Sequence, residues 1–289
     1  MNIIALGETA AKLADKFAQY PQYKIYKIKA SDDKSENKKT YHMKPRHTPE
    51  EYESSCPSLK TFFRSVKGEV LFVVNGAEII TASSLAILQQ IIDKVSLKVL
   101  YIQPDTVILN EVNRLMERSA YNIFQEYARS GLFERIYLVS LPKVEAIMGD
   151  TPIAIHMQKL HETIASTMHM VNVLQRTEPI HSSNMQSSAL SRISTIGLGN
   201  LEPDTEAEEG QLFFPLKYIK EKKYLYMIEE ERLNKDGSLL RRISDQSRKN
   251  ILEENIKTGF DIHSTEYKRS YVYMVANSSI VQSTELETE

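Results

Sequence analysis

The stretch 71–84 constrains the fold of this chain more than any other part of the sequence. It begins as the apolar run Leu71-Phe72-Val73-Val74, which is typical of a strand buried on both faces. The chain then turns at Asn75-Gly76 and passes through Thr81, Ser83 and Ser84 into a helical pattern. That pattern places four apolar residues on one face: Leu85, Leu88, Ile91 and Ile92. A buried strand, a turn and a helix N-terminus form the unit with which α/β folds hold phosphate.

Composition narrows the class of protein further. A length of 289 residues allows one large domain or two smaller ones, and a net charge of −2 leaves no basic surface for nucleic acid or an anionic membrane. A single cysteine, Cys56, excludes an internal disulfide and fits a reducing compartment. The start Met1–Leu6 lacks a signal-peptide pattern, and no apolar run reaches the ~20 residues of a membrane span. We therefore expect a soluble, cytoplasmic protein.

The first half of the chain alternates strand and helix patterns. Strands are predicted at Ile3–Leu6, Tyr23–Ile28, Leu97–Ile102 and Arg135–Val139, besides the run that begins at Leu71. Helices are predicted after Gly7, between Pro49 and Lys67, and from Ile108 to Phe124. The apolar stripe of the last helix is Ile108, Val112, Leu115, Met116, Ile123 and Phe124. The polar stretch 30–39 reads as a solvated loop. This order predicts a doubly wound parallel-sheet domain over residues 1–150.

A long helix and a change of character follow. Pro152 opens a helix predicted over 151–178, and its apolar stripe is Ile153, Met157, Leu160, Ile164, Val171 and Leu174. The pattern of strands and one helix over residues 179–280 predicts a smaller α+β domain, whose helix is capped by Ser238. Its strands are expected at Ile193–Leu198, Tyr224–Glu229, Phe260–His263 and Tyr271–Val275. Residues 202–210 form an acidic loop pattern, and 281–289 read as a mobile acidic tail.

This layout resembles the tubulin/FtsZ superfamily: a Rossmann-like nucleotide-binding domain, a long central helix and a smaller α+β domain. The family's Gly-Gly-Gly-Thr-Gly-Ser/Thr-Gly run, which wraps phosphates, falls on 78–84. Its alcohols match at Thr81 and Ser83, and Gly76 matches a common family glycine upstream. The other glycines are replaced. Glu78 adds negative charge where a polyphosphate would sit, and the β-branched pair at 79–80 resists positive φ.

Other family motifs are altered in the same direction. Gly7-Glu8-Thr9 stands at the first glycine-rich turn, and His161-Glu162 stands at the base-reading Asn-Asp on the long helix. The catalytic Asn-x-Asp-x-x-Asp pattern falls on 184–189, where Gln186 and Ala189 replace the acids. No Asp or Glu lies between Glu178 and Glu202, and positioning a hydrolytic water at phosphate needs a carboxylate or a metal.

The candidate residues follow from these matches. If nucleotide binding is retained, the resemblance implies the following residues: Gly7, Glu8, Thr9, Asn75, Gly76, Thr81, Ser83, Ser84 and His161. Family members associate head to tail, which implies a subunit-contact loop with Asn184, Gln186, Ser187 and Ser188. We expect no catalytic residue, no metal ligand and no resident cofactor; the alternative is GTP with Mg²⁺.

Three functions are compatible with the sequence. The leading hypothesis is a tubulin/FtsZ-like structural or assembly component that lacks GTP hydrolysis and associates with itself or another protein, with Ile79, Ile80 and the loop 182–188 as contacts. The second is a GTP-hydrolysing cytoskeletal filament protein with a diverged pocket. The third is a Rossmann-like domain for another small ligand, which the missing glycine fingerprint disfavours.

Overall fold

The computed structural model describes residues 1–32, 38–201 and 210–283. The predicted acidic loop therefore lies outside the described residues except for Gly210, and so does the predicted tail from residue 284 onward. The chain divides into two compact units. The first comprises Met1–Ala165 with the described residues from Val281, and the second comprises Ser166–Ile280.

The first unit is built on a six-stranded parallel sheet. Its strands are β1 (Asn2–Leu6), β2 (Lys24–Ala30), β3 (Thr40–Met43), β4 (Gly68–Asn75), β5 (Val95–Gln103) and β6 (Arg135–Ser140). They follow the order β3-β2-β1-β4-β5-β6, and every neighbouring pair is parallel. This is the predicted doubly wound α/β topology. The sequence did not reveal β3, because this short edge strand carries one buried residue, Met43, among polar neighbours.

The described residues of this unit form five helices up to residue 148: α1 (Glu8–Phe17), α2 (Pro49–Ser54), α3 (Ser84–Leu88), α4 (Glu111–Ser130) and α5 (Leu141–Met148). Two helix predictions need correction. The region 55–67 contains turns rather than a second helical segment. The helix expected after β4 is broken, since α3 is flanked by 3-10 turns at Ile79–Ser83 and Ile92–Lys94. Hydroxyls that bond to nearby carbonyls favour such turns over a continuous α-helix.

The α4 helix buries only part of its predicted apolar stripe. Val112 and Leu115 of that stripe are each 67% exposed. Phe124 of the same stripe is buried together with Tyr121, and Phe124 stacks on Phe72 of β4 at 6.4 Å between ring centroids. Sequence periodicity therefore identified Phe124 as a core residue, but it did not show that the buried face continues through Tyr121 rather than through Val112 and Leu115.

The long helix α6 runs from Ile153 to Leu174, and the boundary between the two units falls inside it. It is shorter than the predicted segment at both ends. Leu160, Ile164 and Val171 of the predicted stripe are buried, whereas Ile153 is fully exposed. No helix among the described residues is both long and apolar enough to cross a membrane.

The second unit is α+β, as predicted. Its strands are β7 (His181–Ser182), β8 (Ile193–Gly199), β9 (Gly210–Leu212), β10 (Glu221–Glu229), β11 (Lys257–Thr265) and β12 (Tyr271–Ser278), with helices α7 (Glu230–Lys235) and α8 (Leu239–Glu254). The parallel pair β10–β11 is joined through α7 and α8, while β12 runs antiparallel to β10 and β8. Ile243 of α8 packs with Tyr224, Tyr226 and Phe260 in the core.

Candidate functional site

The N-terminus of α1 is capped by a side chain from a distant loop. Gly7 occupies the cap position and has no side chain to offer to the first amides of the helix. The carboxylate of Glu78 takes this role: Oε2 accepts the N–H of Glu8 at 2.7 Å, and Oε1 accepts the N–H of Thr9 at 2.8 Å. Unpaired amides and the helix dipole favour the binding of an anion at such a terminus. In this protein the bound anion is the carboxylate of Glu78.

Gly7 is required by this contact. Its φ of +96° lies in the region that favours glycine. A Cβ at this position would also overlap Oε2 and Cδ of Glu78. The glycine that matches the family's first turn therefore leaves room for the Glu78 carboxylate.

A second carboxylate lies at the same helix end. Glu8 forms ion pairs with Lys29 at 3.1 Å and with Lys12 at 3.6 Å. The hydrogen bond from Lys29 is the main reason why the pKa of Glu8 lies below its ordinary value. Two carboxylates thus occupy the positive end of the α1 dipole, and a polyphosphate placed there would meet both.

The hydroxyls of the loop after β4 hold the turn together. Thr81 donates to the carbonyl of Asn75 at 2.6 Å, and Ser83 donates to the carbonyl of Ile80 at 2.7 Å. The Asn75 side chain accepts the N–H of Ala77 at 2.9 Å. These are the local bonds that Asn, Ser and Thr form in turns. The two alcohols that match the family signature thus donate their protons to backbone carbonyls of this loop.

Gly76 has a packing role. A Cβ there would overlap the hydroxyl of Tyr101, which donates to the buried carboxylate of Glu117 at 3.2 Å. Gln103 donates to the same carboxylate at 3.2 Å. Burial raises the pKa of Glu117, and burial together with the nearby Glu117 raises the pKa of Tyr101. Gly76 therefore lets the turn close over a buried polar cluster.

The other two predicted nucleotide residues are buried. Ser84 is 1% exposed, and its hydroxyl has no hydrogen-bond partner among the described residues. His161 on α6 is 4% exposed, and its Nε2 has no partner in the described part of the chain. Burial lowers the pKa of His161, and the charges of Lys16 and Lys12 on α1 lower it further. These effects favour the neutral form of the imidazole.

Glu162, beside His161, behaves differently. Its carboxylate accepts from Lys16 and from Gln158, each at 2.9 Å. These contacts lower its pKa, with the Lys16 hydrogen bond as the largest cause. The predicted pair thus splits into a buried histidine and a glutamate engaged in a half-exposed polar network.

Within the first unit, the structure brings Glu8 and Thr9 together with the loop after β4 through Glu78. Sequence reasoning identified Glu78 as a charge in the way of phosphate, but it did not identify its two amide partners. The available signal was an acid replacing a glycine in a loop that faces a helix N-terminus.

The predicted subunit-contact loop belongs to the second unit. Asn184, Gln186 and Ser187 are exposed, and Asn184 has a φ of +54°. The N–H of Asn184 donates to the Ser182 hydroxyl at 2.9 Å, and Lys257 donates to the carbonyl of Gln186 at 2.8 Å. The loop therefore has a defined backbone conformation with polar side chains facing outward.

Ser188 connects this loop to a carboxylate that the sequence analysis did not single out. Its N–H donates to Glu221 at 2.8 Å. Glu221 is 3% exposed, and its other oxygen accepts from the Asn277 amide at 3.2 Å. Both carboxylate oxygens of Glu221 therefore accept hydrogen bonds from groups of the second unit itself.

Comparison with known proteins defines the fold. No family model matches the sequence, and no curated protein matches it. Among solved structures, the chain is similar to an empty FtsZ dimer from M. jannaschii, with 12% identity, a TM-score of 0.64, and coverage of 96% of this chain and 88% of the other. It is also similar to a GTPγS-form protofilament of TubZ from Bacillus thuringiensis serovar israelensis, with 12% identity, a TM-score of 0.66, and coverage of 95% of this chain and 86% of the other. A third similar structure is a GTPγS-bound protofilament of CetZ2 from Haloferax volcanii, with 10% identity, a TM-score of 0.65, and coverage of 96% of this chain and 92% of the other. The chain has the tubulin/FtsZ fold.

Proposed function

We propose that this protein is a tubulin/FtsZ-like assembly component that associates with copies of itself without binding or hydrolysing GTP. The observation that carries the proposal is the Glu78 carboxylate on the amides of Glu8 and Thr9. A bound polyphosphate would have to displace this carboxylate and would lie beside the second one, on Glu8. The residues present therefore do not fit a nucleotide phosphate.

The chemistry of hydrolysis is also unsupported. Within the loop 184–189, Gln186 and Ala189 stand where the family pattern has acids. The buried carboxylate beside this loop, Glu221, is committed to Ser188 and Asn277. Orienting a water for attack on phosphate needs a carboxylate or a metal-bound group with access to it.

Self-association is inferred from the kind of assembly that this fold forms. Two of the similar structures are protofilaments of TubZ and CetZ2. In this chain Ile79 is half-buried, and Asn184, Gln186 and Ser187 are exposed, so these four residues are the proposed contacts. Ile80 is buried in the core and is removed from the contact surface that the sequence suggested. A cytoplasmic location belongs to the same proposal.

Sedimentation velocity tests the proposal. We expect wild-type protein to associate in a concentration-dependent way without nucleotide, with no change on adding GTP and Mg²⁺. Ile79→Asp should weaken association appreciably, because a charge in an apolar contact is costly. Leu252→Asp, at an exposed position of α8, is the control and should leave it unchanged. Association that requires GTP, or a purely monomeric wild-type protein, would contradict the proposal.

One observation favours the alternative of a GTP-hydrolysing filament protein. Nε2 of the buried His161 has no hydrogen-bond partner within the described ranges, and the family resemblance assigns this position to base recognition. Phosphate release from GTP that is abolished by His161→Leu would support this alternative. Under the leading proposal, phosphate release stays at the level of buffer for both proteins.

A further inference from the structure

A cleft of about 300 Å³ lies in the first unit, and Glu78, whose carboxylate caps α1, is among its lining residues. Its walls come from α2, from the segment 76–85 and from α4. Leu85, Met116 and Phe124 supply apolar surface, and Ser84 lies in the wall. The Ser84 hydroxyl is buried and has no hydrogen-bond partner among the residues that the structure describes, which is costly for a group that can form two or three hydrogen bonds.

The cleft is continuous with an exposed apolar stripe on α4. Leu115 and Ile123 line the cleft and are 67% and 43% exposed. Val112, one turn before Leu115, extends the stripe and is also largely exposed. Isolated exposed apolar residues are ordinary, but a row of them beside a cleft is typical of a binding surface. The occupant must therefore extend beyond a small molecule and cover at least three turns of α4.

The rim of the cleft is acidic. Glu50 and Glu53 lie three residues apart on α2, both exposed and both lining the cleft. Neither forms an ion pair in the part of the chain that the structure describes. Among the described lining residues there is no lysine or arginine. Charge complementarity therefore requires a basic occupant.

We propose that this cleft binds an amphipathic helix of another protein, whose apolar face covers the α4 stripe and whose lysine or arginine residues pair with Glu50 and Glu53. Helix-in-groove recognition uses this combination of an apolar floor and a charged rim. A second copy of this chain is a poorer fit. Its own basic amphipathic helix, α8, already pairs Arg242 with Asp236 and Arg248 with Asp245.

Fluorescence anisotropy with two synthetic peptides tests this proposal. One is an amphipathic helix of leucine and lysine, and the other replaces every lysine by glutamate. We expect the lysine peptide to bind and the glutamate peptide not to bind. The double variant Val112→Gln/Leu115→Gln should lose about tenfold or more in affinity, because it removes two of the three exposed apolar side chains of the α4 stripe. Both positions are exposed, so the variant should fold, which circular dichroism checks.

Two further variants locate the site. Glu50→Gln/Glu53→Gln should weaken binding and flatten its dependence on salt. Leu252→Gln, which removes an equally exposed leucine on α8, should bind as wild type does. Equal binding of the two peptides, no binding of the lysine peptide, or unchanged binding by the Val112/Leu115 variant would each overturn the proposal. If this variant instead changes the sedimentation of the protein alone, the occupant is a second copy and the proposed partner is wrong.

Discussion

At the scale of single residues, the carboxylate of Glu78 caps the first amides of α1. A glycine at this position would leave the first amides of α1 open, whereas a glutamate closes them with an anion from the same chain. The contact links residues 70 positions apart. Sequence could predict the repulsion between Glu78 and a phosphate, but it could not predict the cap, because nothing local joins the two loops.

Gly7 and Glu78 should be energetically coupled. Gly7→Ala is expected to destabilise the protein by about 2 kcal/mol or more, because the Cβ overlaps the Glu78 carboxylate and the positive φ is strained. In a Glu78→Ala background the overlap disappears and the strain of φ remains, so Gly7→Ala should cost about 1 kcal/mol less. Urea unfolding of the four proteins measures this difference. Additive effects would mean that the two residues do not act as one unit.

At the scale of elements, the sequence predicted strands better than helix faces. Continuous apolar runs such as those of β4 and β5 indicate strands without a choice of face, because both faces of a central parallel strand are buried. The α4 helix has two readings, since Val112 and Leu115 fall at helical spacing and so do Tyr121 and Phe124. The sheet resolves this ambiguity by accepting the aromatic face, and sequence periodicity contains no information about that choice.

The two faces of α4 should respond differently to mutation. Phe124→Ala removes a buried ring packed against Phe72 and Tyr101 and should cost about 3–5 kcal/mol. Leu115→Ala removes an exposed side chain and should change the free energy of unfolding by no more than about 0.5 kcal/mol. Chemical denaturation compares the two. A larger cost for Leu115→Ala would show that α4 buries the side that carries Leu115.

Glu117, on the buried face of α4, should make stability depend on pH. Burial raises its pKa above the ordinary value of 4.5, so the folded protein holds this proton more tightly than the unfolded chain does. The corresponding stability is present below that value and is lost as the pH rises through the raised pKa. Glu117→Gln removes the ionisation, so this part of the fall, which starts above the ordinary value of 4.5, should be absent when the free energy of unfolding is measured against pH.

Glu111→Gln is the control, because this glutamate is exposed on the same helix. It should retain the pH dependence of the wild type. If the pH profile of Glu117→Gln matches that of the wild type, the pKa of Glu117 in the folded protein is not raised above its pKa in the unfolded chain, which contradicts this prediction.

At the scale of the whole molecule, the order of elements along the chain was enough to predict the fold. Alternating strands and helices, one long helix and a mixed second half correspond to the tubulin/FtsZ architecture, and similar solved structures share only 10–12% identity with the chain. The ends of the units were not predictable in the same way. The segment expected to begin the tail returns to the first unit, where Gln282 exchanges two hydrogen bonds with Gln125 at 2.8 and 3.2 Å.

The fold and its use are separate questions, because a fold does not determine a function. The same architecture that holds nucleotide in other proteins here places a glutamate on the α1 amides and closes the following loop with its own hydroxyls. We therefore interpret the first unit as a scaffold in which the Glu78 carboxylate occupies the helix N-terminus where a phosphate would bind.

Calorimetric titration of the purified protein with GTP and Mg²⁺, with ATP as the control, tests this interpretation most directly. We expect no binding heat with either nucleotide, because Glu78 holds the amides of Glu8 and Thr9 that a phosphate would need. Micromolar binding of GTP would contradict it, since the nucleotide would then have displaced the carboxylate, and the GTP-hydrolysing filament protein would become the better description.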